Sequence, residues 1–209
     1  RFVSAADRNL VCLRYRVRRL GHDAPLAVEG FLKTDIANQN GVRLWTPART
    51  LDEPGRKAVE CVTQVSKCHV IVAQQTVVTP QPDGIQLDLF AVAGEMPFDT
   101  ALDQSAAAAR RGYEACRDEH LAATTEERAG GALECDADWA TLQGLNFGML
   151  HLNMAVGPAT ARTGVPIKGL TGYGYRFLNF WDMDFHMFPY YLMTRPAVAR
   201  DLLAYRYGQ

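Results

Sequence analysis

The sequence has almost no net charge, because its 22 basic and 23 acidic side chains leave a formal charge of −1 at pH 7. Proteins that bind nucleic acid or anionic membranes usually carry a basic excess that attracts phosphate groups. The chain also lacks any apolar run that approaches the ~20 residues of a membrane span. These two absences disfavour nucleic acid and membranes as partners.

Cysteine is scarce, and its five positions form no closely spaced pair: they are Cys12, Cys61, Cys68, Cys116 and Cys135. An odd number of scattered cysteines disfavours both a disulfide framework and a zinc site, and it favours a reducing compartment such as the cytoplasm. His186 follows Asp182 at the helical spacing of two metal ligands, but no third ligand is near. We therefore expect no metal.

The N-terminus has neither an initiator methionine nor an apolar signal segment, which indicates a chain cut from a longer protein.

The first half of the chain has the alternation of β-strands. Val11, Leu13, Tyr15 and Val17 alternate with Cys12 and three arginines, which predicts a half-buried strand. The arginine face could bind an anion, but such a face is usually the solvated one, so we assign it no ligand. Valine-rich and alternating segments at 57–79 and 85–92 extend the β-rich region to about residue 95.

The second half has helical composition. An alanine-rich segment without proline predicts a connecting helix from Asp103 to Thr124. Asp136 is a candidate N-cap for a helix over 138–156, whose Gly144 and Gly148 suggest the close approach of another element. Two further helices are predicted at 181–192 and 195–207. Strands followed only by helices indicate the α+β class.

A glycine-rich loop from Gly157 to Tyr175 leads into the stretch GYRFLNFWDMDFHMFPYYL, which begins at Gly174. An indole face can cover the apolar face of a pyranose while a carboxylate accepts hydrogen bonds from its hydroxyl groups. Trp181 and Asp182 could thus form a sugar site, with Arg176 and Asn179 as nearby donors. On the residues alone, however, an aromatic cluster is more often packed core than binding site.

A resemblance to a known family bears on this choice. The loop KGLTGYGY from Lys168, the segment FWDMD from Phe180 and the segment MFP from Met187 resemble the corresponding loop and FWDTE motif of glycoside hydrolase family 65. The likeness extends to RFVSAAD at the N-terminus and to RPAVARDLLAYRY near the C-terminus. This family contains maltose, kojibiose, nigerose and trehalose phosphorylases and some acid trehalases.

The resemblance implies an architecture. It is a partial antiparallel β-sandwich at residues 1–100, a helical linker at 101–132 and the first helices of an (α/α)6 barrel at 133–209. It also implies that Trp181 and Asp182 hold the nonreducing glucose, so that Asp182 is a binder and not the proton donor. Asn179 stands where the family usually has histidine, and Met183 and Asp184 stand where it has Thr-Glu.

The implied function is an inverting phosphorylase of α-glucosidic disaccharides, which needs inorganic phosphate as co-substrate and no other cofactor. The alternatives are a hydrolase of α-glucosides or trehalose and a noncatalytic carbohydrate-binding or structural module.

Residues two apart on a helix point to different sides, so Asp182 and Asp184 are not expected to form an acid–base pair. In the family the general acid lies well beyond the Trp-Asp motif, past Gln209, so we expect no catalytic residue here and an inactive isolated chain. The sequence leaves open whether the intact parent forms a homo-oligomer.

Overall fold

A six-stranded antiparallel sheet forms the first part of the chain. The computed structural model describes all residues except 22, 23, 36, 38–40, 42, 130–134, 158, 159, 168–177 and 209 and the side chains of 127–129. The described strands are β1 (Phe2–Val3), β2 (Leu10–Arg18), β3 (Trp45–Glu53), β4 (Arg56–Thr63), β5 (His69–Gln81) and β6 (Gly84–Gly94). They pair in the order β1-β2-β6-β5-β4-β3, and every pairing is antiparallel.

The helices follow the strands along the chain. They are α1 (Phe98–Arg111), α2 (Tyr113–Ala129), α3 (Trp139–Ala155), α4 (Thr160–Thr163), α5 (Phe188–Thr194) and α6 (Pro196–Tyr207), with a π-helical turn at Met183–Met187 before α5. The predicted α+β order of antiparallel strands followed by helices is therefore confirmed. The chain divides into two units, Arg1–Thr124 and Thr125–Gln209. The domain limits predicted at residues 100 and 132 stay predictions.

One face of the sheet packs against α1 and forms the first core. Phe90 and Ile71 on this face are almost completely buried together with Phe98 and Leu102 of α1. Each large apolar side chain that is fully buried stabilises the fold by about 1.5–3 kcal/mol. The single predicted helix at 103–124 is in fact two helices, because Gly112 adopts φ +87° between α1 and α2. A residue with a side chain rarely adopts that conformation.

Strand β2 is confirmed over Leu10–Arg18, but the prediction of its arginine face needs correction. Cys12 on that face is fully buried in the first core, and Arg14 retains only 18% of its side-chain exposure. Arg14 binds Asp88 of β6 and Glu114 of α2, and its guanidinium lies over the ring of Tyr113. These partners take the place of water as hydrogen-bond acceptors for the Arg14 guanidinium. Arg16 and Arg18 are exposed, as the solvated interpretation predicts.

The opposite face of the sheet contacts the irregular segment around Gly30. A Cβ atom at Gly30 would lie 2.9 Å from Nε2 of Gln74 and 3.0 Å from Leu89, so the backbone runs directly over these side chains. Glu29 in the same segment forms an ion pair with Lys57 at 2.9 Å. The absence of a side chain at Gly30 is what permits this close approach.

The second unit has its own core, at the end of α3 and around α5 and α6. Tyr191 is completely buried, and its hydroxyl group donates a hydrogen bond of 2.6 Å to the carbonyl of Leu152 in α3. The remaining buried members are Val156, Val165, Met183, Ala199 and Leu202. Among the described residues, no helix combines the length and apolar character needed to cross a bilayer.

Helix α3 differs from its prediction in two respects. Its N-cap is Asp138 and not Asp136, because the Asp138 carboxylate accepts a 3.0 Å hydrogen bond from the amide of Thr141. This hydrogen bond is the main reason that the pKa of Asp138 is lowered. Around Gly144 and Gly148 no described atom lies within 4 Å of an added Cβ, so the close approach predicted there is not found in the described part of the chain.

Candidate functional site

The Trp181–Asp182 pair lies between an irregular segment, Leu178–Phe180, and the π-helical turn. The turn is closed by the amide of Phe188, which donates to the carbonyl of Met183. Met183 is buried in the second core and anchors the turn from inside. A π-helical turn is rare in proteins and is frequent at functional sites. Its position directly after Asp182 is thus consistent with a functional role for this segment.

Trp181 is the centre of an exposed aromatic group. Its indole remains 55% exposed, meets the ring of Phe185 edge-on at 5.6 Å and lies 5.9 Å from the ring of His186. Phe185 is also exposed. Trp181 is thus not covered in this structure, whereas Tyr191 of the same aromatic stretch is completely buried. The group offers apolar ring surface of the kind that stacks on a sugar.

The two aspartates that flank Met183 have opposite surroundings. Asp182 is half-buried and does not cap the helical turn, and its carboxylate forms no hydrogen bond or ion pair with any residue that the structure describes. Asp184, in contrast, binds Arg206 of α6, with Oδ2 2.8 Å from Nη2 and both carboxylate oxygens 3.1 Å from Nε. Asp184 thus has a structural partner inside the fold. The hydrogen bond from Arg206 to Asp184 is also the main reason that the pKa of Arg206 is raised.

Asn179 uses its amide hydrogens inside the fold. Its Nδ2 donates to the carbonyl of Thr163 and to the hydroxyl of Tyr205, both at 2.7 Å. An amide has only two such hydrogens, so both are engaged. The Oδ1 atom is buried and has no partner among the described residues. With its oxygen buried and both hydrogens engaged, the Asn179 amide does not offer the donor that the sequence suggested.

The remaining predicted residue, Arg176, lies outside the described residues, as do Lys168–Tyr175 of the glycine-rich loop. The structure adds Tyr205 and Arg206 of α6, which sequence reasoning missed. The available signal was Asp184, since a carboxylate on a helical turn in an aromatic environment requires a cation or donors. The sequence contained no indication of which of its 22 basic residues would supply that cation.

Comparison with known proteins agrees with this picture. The profile of the glycosyl hydrolase family 65 N-terminal domain matches residues 1–95, and that of the family 65 central catalytic domain matches residues 146–209. Together the two profiles account for most of the chain, in the order in which the sheet and the helices occur. The chain belongs to glycosyl hydrolase family 65.

Several relatives in this family are phosphorylases. The chain is 41% identical to the alpha,alpha-trehalose phosphorylase of Thermoanaerobacter brockii over 73 residues, which are 35% of this chain and 9% of that protein. It is 33% identical to the kojibiose phosphorylase of Escherichia coli K12 over 121 residues, 51% of this chain and 15% of the relative. An alignment of 251 positions with the maltose phosphorylase of Bacillus subtilis is 29% identical and covers all of this chain and 32% of the relative.

A solved structure shows the same fold. It is described as a putative kojibiose phosphorylase from the human microbiome and superimposes with a TM-score of 0.69, at 15% identity, over 84% of this chain and 27% of that one. At this identity the likeness concerns the fold alone. The family 65 chain thus spans about a tenth to a third of the length of these relatives.

Proposed function

We propose that the complete gene product containing this chain is an inverting phosphorylase of α-glucosidic disaccharides. Its reaction converts a glucoside and inorganic phosphate into glucose 1-phosphate and the released sugar, and phosphate is the only co-substrate that it requires. The observation that carries the proposal is the Trp181–Asp182 pair, in which an exposed indole adjoins a carboxylate without a described partner. The family's phosphorylases, acting on trehalose, kojibiose and maltose by name, supply the reaction class.

In this proposal, Trp181 and Asp182 hold the nonreducing glucose. The indole covers the apolar face of the pyranose, and the carboxylate of Asp182 accepts hydrogen bonds from its hydroxyl groups. Arg176 is assigned beside them from sequence alone, and Asn179 contributes by holding the segment that leads to Trp181, through its hydrogen bonds to Thr163 and Tyr205. Asp184 is excluded from sugar binding because Arg206 already occupies its carboxylate.

The chemistry needs groups in addition to this pair. Phosphate attacks the anomeric carbon from the face opposite the leaving oxygen, while a general acid protonates that oxygen. We assign neither the acid nor the phosphate-binding residues to this chain, so its contribution is to bind and orient glucose. We also place the protein in a reducing compartment such as the cytoplasm, because its cysteines are few and scattered.

The test is a substrate panel with the complete gene product. Trehalose, kojibiose, nigerose and maltose are each incubated with and without inorganic phosphate, and glucose 1-phosphate and free glucose are measured. We expect glucose 1-phosphate from at least one disaccharide, only with phosphate, and with the β configuration by NMR because inversion of an α-glucoside gives the β-anomer. Free glucose formed equally without phosphate would instead identify a hydrolase. Binding without turnover across a wide panel of α-glucosides would identify a noncatalytic module.

A further inference from the structure

The last turn of α6 contacts the chain on both sides of the Trp181–Asp182 pair. Tyr205 accepts the hydrogen bond from Asn179, two residues before Trp181. Arg206 donates from Nη2 to the carbonyl of Phe180 at 2.8 Å, and it binds the carboxylate of Asp184. Two consecutive residues of one helix thus bind three of the four residues that immediately flank the pair, and they leave the pair itself uncovered.

Helix α6 is a firm base for these contacts. Its Ala199 and Leu202 are buried in the core of the second unit. Tyr205 is held from its other side by Gly164, where a Cβ atom would lie 2.8 Å from the tyrosine ring and where the backbone has φ +63°. Glycine at this position therefore lets the ring reach Asn179, whose amide also donates to the neighbouring Thr163 carbonyl.

The pair needs such support because the Trp181 side chain is only partly packed against the rest of the fold. More than half of Trp181 is exposed, so burial of the indole cannot fix its position. Locally, the carbonyl of Trp181 accepts from the amides of Asp184 and Phe185 at 3.0 and 3.1 Å, a shared arrangement at the start of an irregular turn. A π-helical turn is seldom populated without tertiary contacts to maintain it.

We propose that Tyr205 and Arg206 are positioning residues for the glucose-binding pair. Arg206 fixes Phe180, just before the pair, and Asp184 in the first turn of the π-helical segment. Tyr205 fixes Asn179, two residues before Trp181. Neither side chain has to touch the sugar. The inference rests on the proposed function for its kinetic consequence, but the placement of Trp181 that it predicts can be measured without substrate.

The experiment uses Arg206→Gln and Tyr205→Phe in the complete gene product. Tyr205→Phe removes only the hydroxyl group and keeps the ring against Gly164, so it tests the contact with little risk to folding. The matched controls are Arg200→Gln and Tyr207→Phe, exposed residues of the same helix. For every variant we measure kcat and KM for the best glucoside, the unfolding midpoint, and hydroxyl-radical labelling of Trp181 by peptide mass spectrometry, with Trp45 as an internal reference.

We expect both test variants to change the labelling of Trp181 but not that of Trp45, and to raise KM roughly tenfold with a smaller effect on kcat. The controls should match the parent protein. If labelling of Trp181 and KM in folded Arg206→Gln and Tyr205→Phe equal those of the controls, the positioning role is wrong. Failure of the proposed function is distinguishable, since the unsubstituted protein would then form no glucose 1-phosphate while the labelling result still decides the positioning role.

Discussion

At the scale of single residues, Asp182 and Asp184 show how one intervening residue separates two roles. Asp184 points to Arg206, whereas Asp182 has no described partner. A carboxylate that stays in a partly buried place without an internal partner is available to a ligand hydroxyl. The two side chains therefore predict different consequences of substitution.

Asp182→Ala is expected to lower kcat/KM of the complete gene product severely. Loss of an acceptor leaves a substrate hydroxyl unpaired in the complex at a cost of roughly 1–3 kcal/mol or more, which is about 5- to 150-fold. Steady-state kinetics measures the effect, and Asp118→Ala on the exposed surface of α2 is the matched control. An unchanged kcat/KM in a folded Asp182→Ala protein would remove the sugar-site assignment.

Asp184→Asn is expected to act mainly on stability. The variant weakens a half-exposed ion pair with Arg206, which contributes about 1 kcal/mol or less. Its unfolding midpoint should fall slightly, and its kcat/KM should change much less than in Asp182→Ala. A loss of activity as large as that of Asp182→Ala, at unchanged stability, would instead assign Asp184 to the sugar site.

The thiols give a residue-scale prediction of pH dependence. Burial, reinforced by the neighbouring Cys116, raises the pKa of Cys12 well above its ordinary value of 9.0. The folded state therefore holds the Cys12 proton more tightly than the unfolded state does. The protonated Cys12 thiol therefore contributes its full stabilisation of the folded state below pH 9, and this contribution declines as the pH rises above that value.

Alkylation measures this protection directly. With iodoacetamide at about pH 8, we expect the exposed Cys135 to react in the native protein, and Cys12 and Cys116 to react only after denaturation. Mass spectrometry of the modified peptides identifies the sites. Rapid labelling of Cys12 in the folded protein would contradict its place in the core.

At the scale of secondary-structure elements, Arg14 joins β2 to both β6 and α2. Its bidentate bond to Asp88 has lengths of 2.7 and 2.8 Å, and both side chains are more than four-fifths buried. Removal of one member of such a pair leaves the other charge with reduced compensation. The arginine therefore ties β2 to β6 through Asp88 and contacts α2 through Glu114.

Arg14→Ala is expected to lower the free energy of unfolding by roughly 2–3 kcal/mol. Arg16→Ala is the matched control, because Arg16 is exposed and its side chain donates to the neutral amide of Gln86. Surface substitutions of this kind usually stay within about 0.5 kcal/mol. Denaturant unfolding followed by circular dichroism compares the two variants, and equal free energies of unfolding would show that the Arg14 pair contributes nothing to stability.

At the scale of the whole molecule, α3 leaves apolar surface exposed. Phe147, Leu150 and Met154 follow one another at helical spacing and are exposed, and so is Trp139 on the same face. Among the described residues, the end of the helix packs against the second core, at Leu152 and Ala155. Exposed apolar stretches of this kind are uncommon on a protein surface.

The 209-residue chain is therefore expected to bind the dye ANS through α3. Phe147→Gln should lower ANS fluorescence while it leaves the unfolding midpoint nearly unchanged, since that ring is mostly exposed and its ring contact is with His151 of the same helix. The comparison variant is Tyr191→Ala, which creates a cavity in the core and should cost about 3–5 kcal/mol. ANS fluorescence that does not respond to Phe147→Gln would place the apolar surface elsewhere.

The sequence by itself determined the order of strands and helices and the family. The alternation at 11–17 was sufficient to predict β2, because period-two apolar spacing suits a strand with two different faces. The Trp181–Asp182 motif, together with its glycine-rich loop, indicated family 65 from the order of the residues alone. Local patterns of this kind depend on neighbours a few residues apart, and they can therefore be interpreted from the chain itself.

Tertiary structure decided which partners these residues have. Sequence could not show that Arg14 would be covered, because its partner Asp88 lies 74 residues away. It could not show that Asn179 would use both amide hydrogens on Thr163 and Tyr205, or that Arg206 would select Asp184, 22 residues before it. Burial and hydrogen bonding depend on which elements pack together, and only the folded chain brings these distant groups within bonding distance.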